Sequence, residues 1–280
     1  MFVLLARSAQ VGLILRRGPS AWTQLIRWDT KRDTFEPGQW FRGTIDFHRC
    51  DLSPSGERFL YFAKAYKPRS IALGYKDTWT AVSRAPYFTA LALWPMGDTW
   101  FGGGLFVDDR MVRLNHPACN LATHPDHPAG NLKVIAEPMM FWDRCVLDER
   151  MKRDGWKMRS QTKRVFHGRT IAGEYPQELE KPDAKGRRVL VVRDLSDGLL
   201  HQRPFRFVVA NARTGEEVLR FEAEWADWDQ RGQLAYAANG KLWRVNFPPR
   251  ARPPEVHEIE DFSAAKPDPQ PSPEWAKRWV

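Results

Sequence analysis

The chain reads as all-β, assembled from short-strand units that recur along its length. Three observations lead there. A turn-and-strand phrase runs Asp51-Leu-Ser-Pro-Ser-Gly56-Glu-Arg-Phe-Leu-Tyr61 and returns as Asp227-Trp-Asp-Gln-Arg-Gly232-Gln-Leu-Ala-Tyr236. Weaker copies are Leu93-Trp-Pro-Met-Gly97-Asp-Thr-Trp100 and Pro182-Asp-Ala-Lys-Gly186-Arg-Arg-Val-Leu190, so the four glycines stand 41, 89 and 46 residues apart. The 21 Pro and 19 Gly are set among many short apolar runs, which suits frequent turns and disfavours helical bundles, where proline removes a donor and clashes with the preceding turn. A 42% apolar fraction with 13 Trp and 16 Phe supplies a large core. A repeat of about 40–45 residues built from short strands is the pattern of a β-propeller blade. At about 44 residues each, five or six four-stranded blades fit the chain, some irregular, with one or two short helical insertions.

The elements follow in order. Val11-Gly-Leu-Ile-Leu15 and Thr23-Gln-Leu-Ile-Arg-Trp28 form two strands joined through Arg17-Gly-Pro-Ser20, and Lys31 to Trp40 forms a polar connection closing with Pro37-Gly38. A strand is expected over Thr44 to His48, a turn at Ser53-Pro-Ser-Gly56, and a strand from Glu57 to Ala63. Trp79 to Ser83 and Tyr87 to Trp94 pair around Arg84-Ala-Pro86. The run Trp100 to Phe106 leads into Met111 to Leu114, and Asn115 to Gly130 is a loop. Residues 141–153 carry Trp142, Val146 and Arg150 on one stripe, which predicts a helix stopped by Asp154-Gly155; a second short helix is expected at Pro176 to Glu180. Leu219, Phe221, Ala223 and Trp225 alternate with Arg220, Glu222 and Glu224, the period of a half-buried strand. Ala212-Arg-Thr-Gly215 and Ala238-Asn-Gly240 supply hairpin turns, Asn-Gly being the strongest two-residue signal. Eight prolines between Pro248 and Pro273 mark a change of composition. Residues 1–247 are therefore expected to form the propeller and 248–280 a solvated proline-rich tail, with Trp275 and Trp279 docking its end.

The phrase Leu52-Ser-Pro-Ser-Gly-Glu-Arg-Phe-Leu-Tyr61 resembles the S-P-D-G-x-x-L-x-Y repeat of TolB-like and WD-repeat-like propellers. Asp229 to Tyr236, followed by Asn239-Gly-Lys-Leu-Trp-Arg244, resembles another copy with its hairpin. Ser55 stands where Asp is usual, the later copy lacks Ser-Pro, and residues 100–185 match poorly. The resemblance implies a ring of blades whose usual work is to present binding surfaces; it does not transfer a function.

Cys50, Cys119 and Cys145 are odd in number and widely spaced, which argues against a disulfide framework and for a reducing, cytoplasmic setting. The N-terminus lacks a basic region followed by an uninterrupted apolar one, and no later segment approaches a membrane span. The formal charge is +9 with a pI near 9.6. Between Arg150 and Arg169 lie eight basic residues (Arg150, Lys152, Arg153, Lys157, Arg159, Lys163, Arg164 and Arg169) against the single acid Asp154, with Trp156 among them. Such a segment suits an acidic protein face, or phosphates with a stacked base, or a solvated strand edge guarded by charge.

A second cluster is His116, Cys119, His124 and His127. Imidazole nitrogen and thiolate sulfur are donors that zinc takes tetrahedrally. Each of these histidines precedes a proline, which also suits an ordinary extended loop. Gly102-Gly-Gly104 has neither dinucleotide nor P-loop spacing and reads as a close strand approach or bulge. Asp46, Asp51, Asp98, Asp108 and Asp109 are candidates for a carboxylate pair, and no G-x-S-x-G elbow or H-E-x-x-H pair occurs. The sequence therefore points to a non-enzymatic protein-interaction module without a cofactor. The alternatives are a hydrolase or lyase using those carboxylates or a His/Cys zinc site, and nucleic-acid binding through 150–169.

Overall fold

Strands adjacent in sequence pair with one another almost throughout, and among the described residues five sheets follow in chain order. The computed structural model describes residues 1–139, 145–166, 169–193, 204–248 and 252–279; the side chains at 69 and 161–177 lie outside that description. The fold is all-β, with mostly antiparallel sheets succeeding one another along the chain as propeller blades do. Two compact units result: Phe2–Arg150 with Ala265–Val280, and Met1 with Met151–Ala264.

The first unit holds three sheets. The first comprises β1 (Phe2–Leu5), β2 (Val11–Arg17), β3 (Trp22–Asp29) and β4 (Thr34–Arg42). The second comprises β5 (Thr44–Ile45), β6 (Asp51–Leu52), β7 (Arg58–Lys64), β8 (Thr78–Arg84) and β9 (Ala90–Pro95). The third comprises β10 (Gly104–Asp108), β11 (Met111–Leu114) and β12 (Lys133–Ala136), with β11 and β12 parallel. Large side chains fill the spaces between sheets. Leu13, Leu25, Phe59, Tyr61 and Trp79 form one buried cluster, and Leu60, Trp94, Phe106, Val112 and Leu114 another. Full burial of one such side chain stabilises by about 1.5–3 kcal/mol.

The second unit holds the fourth sheet, β13 (Lys157–Phe166), β14 (Arg169–Pro182), β15 (Arg188–Arg193), β16 (Phe205–Asn211) and β17 (Glu217–Ala223). It also holds the fifth, β18 (Trp225–Trp228), β19 (Leu234–Ala238), β20 (Lys241–Asn246) and β21 (Glu255–Asp261). A ladder of rings joins the two. Phe207 stacks on Phe221 at 5.5 Å, Phe221 meets Tyr236 at 4.5 Å, and Tyr236 stacks on Trp243 at 6.1 Å.

The recurring phrase is one hydrogen-bonded turn. Gly56, Gly186 and Gly232 donate to the carbonyls of Ser53, Asp183 and Asp229 at 2.9, 3.0 and 2.8 Å. The side chains of those three residues accept backbone N–H groups of Arg58, Arg187 and Gln233. The glycine takes φ of 77°, 62° and 72°, which a side chain would strain. Gly97 is different: it follows β9, and its N–H donates to the Thr78 hydroxyl at 3.0 Å, so it is no copy of this turn.

Several other expectations change. The connection 31–40 is the edge strand β4. Pro37 opposes Ile26 across a register shift on that outermost strand, where a missing donor breaks no ladder bond on the open side. Thr44 to His48 splits into β5 and a 3-10 turn, Phe47–Arg49, because Asp46 caps it through the His48 N–H at 3.3 Å. Of the helix expected over 141–153, the part within the described residues is α2 (Cys145–Arg153), ended by Gly155 at φ 93°. A short helix, α1 (Pro68–Ala72), falls in the β7–β8 connection instead of at Pro176 to Glu180, which lies within β14 because its backbone is held between β13 and β15. The proline-rich segment contains β21, paired along β20. Trp279 then sits over Gly130 beside the Leu60 cluster, and Trp275 meets Tyr87 edge-on at 5.5 Å.

Candidate functional site: an arginine-lined cavity

Of the basic segment, Arg150, Arg153 and Arg159 each meet different partners. Arg150 is buried in the first unit, donating to the Cys50 and Phe47 carbonyls with its guanidinium over Phe2. Arg153 pairs with Asp154 at 2.8 Å, and Arg159 lies 3.8 Å from both Glu178 and Glu180 on β14. Trp156 is buried with the Lys181 ammonium over its ring, and Lys181 pairs with Asp227 at 2.7 Å. Burial raises the Asp227 carboxyl despite that ammonium. Lys152 and Lys157 are exposed, and the side chains of Lys163, Arg164 and Arg169 lie outside the described residues.

The histidine loop is divided among separate partners. His116 is buried between the Thr80 hydroxyl (2.8 Å) and the Asn120 carbonyl (3.1 Å), and burial lowers its pKa to about 4. His124 bonds the Leu73 carbonyl at 2.7 Å, His127 bonds the Tyr75 hydroxyl at 2.8 Å, and Cys119 is exposed. Among the described residues no group of three or more His, Cys, Asp or Glu side chains is arranged to hold a metal ion.

The five aspartates are also engaged one by one. Asp46 lies near Arg49 (3.6 Å) and Lys64 (3.5 Å), and Asp51 accepts the Phe106 N–H at 2.7 Å. Asp98 and Asp108 accept the N–H groups of Trp100 and Arg110. Burial works to raise the Asp109 carboxyl, but hydrogen bonds from the Ser55 hydroxyl and N–H bring it below its usual value. Gly102-Gly-Gly104 marks close approach: a Cβ on Gly103 would stand 2.2 Å from the Arg49 carbonyl oxygen.

A site that sequence reasoning missed lies in the second unit. A cavity of about 500 Å³ is lined by Arg187, Arg188, Arg213 and Arg252, with Phe247 and Val218 among its apolar residues. The turn at Gly186 delivers Arg187 and Arg188. Arg188 opposes Asn211 in the β15–β16 register, and the Ala212 N–H donates to the Arg187 carbonyl at 2.9 Å, which brings the Arg213 turn alongside. Arg188 lies 4.2 Å over the Phe247 ring and 3.8 Å from Asp183. Arg187, Arg213 and Arg252 form no ion pair among the described residues. Four lining arginines, with Asp183 the one carboxylate paired to them among the described residues, make a cationic surface suited to an anion through paired N–H donors. The signal in the sequence was Arg187-Arg188 directly after a recurring turn, together with Arg213 inside the next one.

The sequence matches no protein-family model and no curated protein. Among solved structures the likeness is faint, as three of them show. An uncharacterized protein of Listeria monocytogenes EGD-e, lmo1340, is 11% identical at TM-score 0.32, over 93% of this chain and 82% of that one. TolB from Acinetobacter baumannii is 9% identical at 0.27, over 88% of this chain and 50% of that one. The β-propeller domain of the Trilobed protease from Pyrococcus furiosus is 8% identical at 0.30, over 95% of this chain and all of that domain.

Proposed function

We propose that the chain is a non-enzymatic interaction module that binds an acidic protein partner through the arginine-lined face of its second unit. One observation carries the reading: Arg187, Arg188, Arg213 and Arg252 line one cavity, and among the described residues Asp183 alone pairs with any of them. Arginine is favoured where interfaces concentrate their binding energy, because its planar fork takes two hydrogen bonds and its face stacks on apolar groups. The segment 150–169 supports nucleic-acid binding less, since Arg150 is buried and Arg153 and Arg159 already face carboxylates. The reading places the module in a reducing, cytoplasmic setting.

Affinity capture from the native host, with nuclease and with wild type beside a variant carrying Arg187→Glu, Arg213→Glu and Arg252→Glu, tests this. A protein held by the wild type after nuclease and lost from the variant is the expected result. Recovery of nucleic acid alone, lost on nuclease treatment, would transfer the function to nucleic-acid binding.

A further inference from the structure

We infer that the arginine-lined cavity is a phosphoryl site, taking the dianionic phosphate monoester of a modified side chain on the partner. This rests on the acidic-partner reading above and narrows it. The argument begins with charge. Four arginines line the cavity, and among the described residues the carboxylate that pairs with one of them, that of Asp183, stands 3.8 Å from Arg188. A single Glu or Asp carboxylate brings one negative charge and two acceptor oxygens. A phosphate monoester brings about −1.5 to −2 at neutral pH and three strong acceptor oxygens, which matches several arginine forks at once.

Preorganisation follows from the local structure. Asp183 accepts the Arg187 N–H through Oδ1 at 2.7 Å and approaches the Arg188 guanidinium through Oδ2. Phe247 supports that guanidinium from below at 4.2 Å. Arg188 is thereby held between a carboxylate and a ring before any ligand arrives, so less ordering is required on binding. Arg187 and Arg213 are exposed and form no ion pair among the described residues. Size agrees: about 500 Å³ accommodates a phosphorylated side chain and a flanking residue.

The test is a fluorescence-anisotropy titration of the full chain with a labelled phosphoserine peptide, the same peptide with Glu in place of phosphoserine, and phenyl phosphate as competitor. The phosphopeptide is expected to bind at least about tenfold more tightly than the Glu peptide, with phenyl phosphate displacing it. Arg187→Gln with Arg213→Gln should weaken it by about tenfold or more, their exposure leaving the thermal transition in place. Affinity should also fall from about pH 7.5 to about 5.5, across the second phosphate pKa near 6, a range in which a Glu peptide keeps its charge. Equal binding of the two peptides would overturn the phosphoryl assignment while leaving the acidic-partner reading standing. Binding of phenyl phosphate without the phosphopeptide would keep the phosphoryl chemistry and overturn the protein source. Binding of none of the three would overturn both.

Discussion

Asp229 and Arg244 form a buried ion pair at 2.7 Å that ties a turn to the strand two places along the fifth sheet. The Asp229 Oδ1 accepts the Arg231 and Gln233 N–H groups while Oδ2 receives the guanidinium. The same carboxylate therefore shapes the turn and neutralises a cation that the sheet has buried. Asp229→Ala is expected to cost about 3–5 kcal/mol, because it removes the carboxylate that neutralises the buried Arg244 charge and leaves two N–H donors without their acceptor. Asp229→Asn, which retains the turn acceptor, should cost less. Urea denaturation of the two variants checks the order; equal losses would mean that the turn bonds contribute little.

Glycine substitutions should separate steric cost from backbone cost. Gly186 has φ 62° with no atom within 4 Å of an added Cβ, so Gly186→Ala should lose only about 1–2 kcal/mol. Gly103 has φ 76° and the Arg49 carbonyl 2.2 Å from that Cβ, so Gly103→Ala should lose several times more or fail to fold. Comparing their thermal midpoints tests this, and similar midpoints would contradict the close approach at Gly103.

His116 sets a pH window. Burial lowers its pKa in the folded chain to about 4, against about 6.5 when unfolded. Between those values the unfolded chain holds the extra proton, so stability is full above about pH 6.5 and declines as pH falls toward about 4, by on the order of 3 kcal/mol. His116→Gln removes the titrating ring, and the slope of stability over that window should flatten relative to wild type. An unchanged slope would assign the acid sensitivity to other groups, such as His127, whose pKa burial also lowers.

Trp279 is expected to fasten residues 265–280 to the first unit. Its indole lies against Gly130 and the Leu60 cluster, with the Arg58 guanidinium 5.3 Å from the ring centre. Trp279→Ala should destabilise by about 2–4 kcal/mol and speed proteolysis of the segment. Wild-type cleavage rates would show that the contact is not what holds it.

Local chemistry was legible in the sequence wherever one short stretch decided the outcome. The Asn239-Gly240 hairpin, with φ of 56° and 80°, and the Asp-x-x-Gly turns at 183 and 229 depend on a few adjacent residues. β4 and β21 were hidden because their partners supply the reason to be strands: Pro37 is tolerated only once β3 covers its other side, and Glu255 to Asp261 alternates weakly until β20 pairs with it. Charge density misled in a similar way. Eight basic residues in a row of twenty drew attention to 150–169, yet their convergence depends on which way each faces. The four arginines of the cavity are separated in sequence by up to 65 positions and meet only through the β15–β16 register and the approach to Phe247.

Because Trp279 and its neighbours belong with Phe2–Arg150, that unit is completed only after the whole of Met151–Ala264 has been made. The second unit, made largely of one continuous stretch from Met151 to Ala264, has nearly all its residues in hand earlier. Synthesis order and order of completion are thus reversed, and the early sheets must persist with one flank uncovered while some 130 further residues are made. Nascent chains arrested before residue 265 should accordingly be cut by protease within the first unit, and released full-length chains should not.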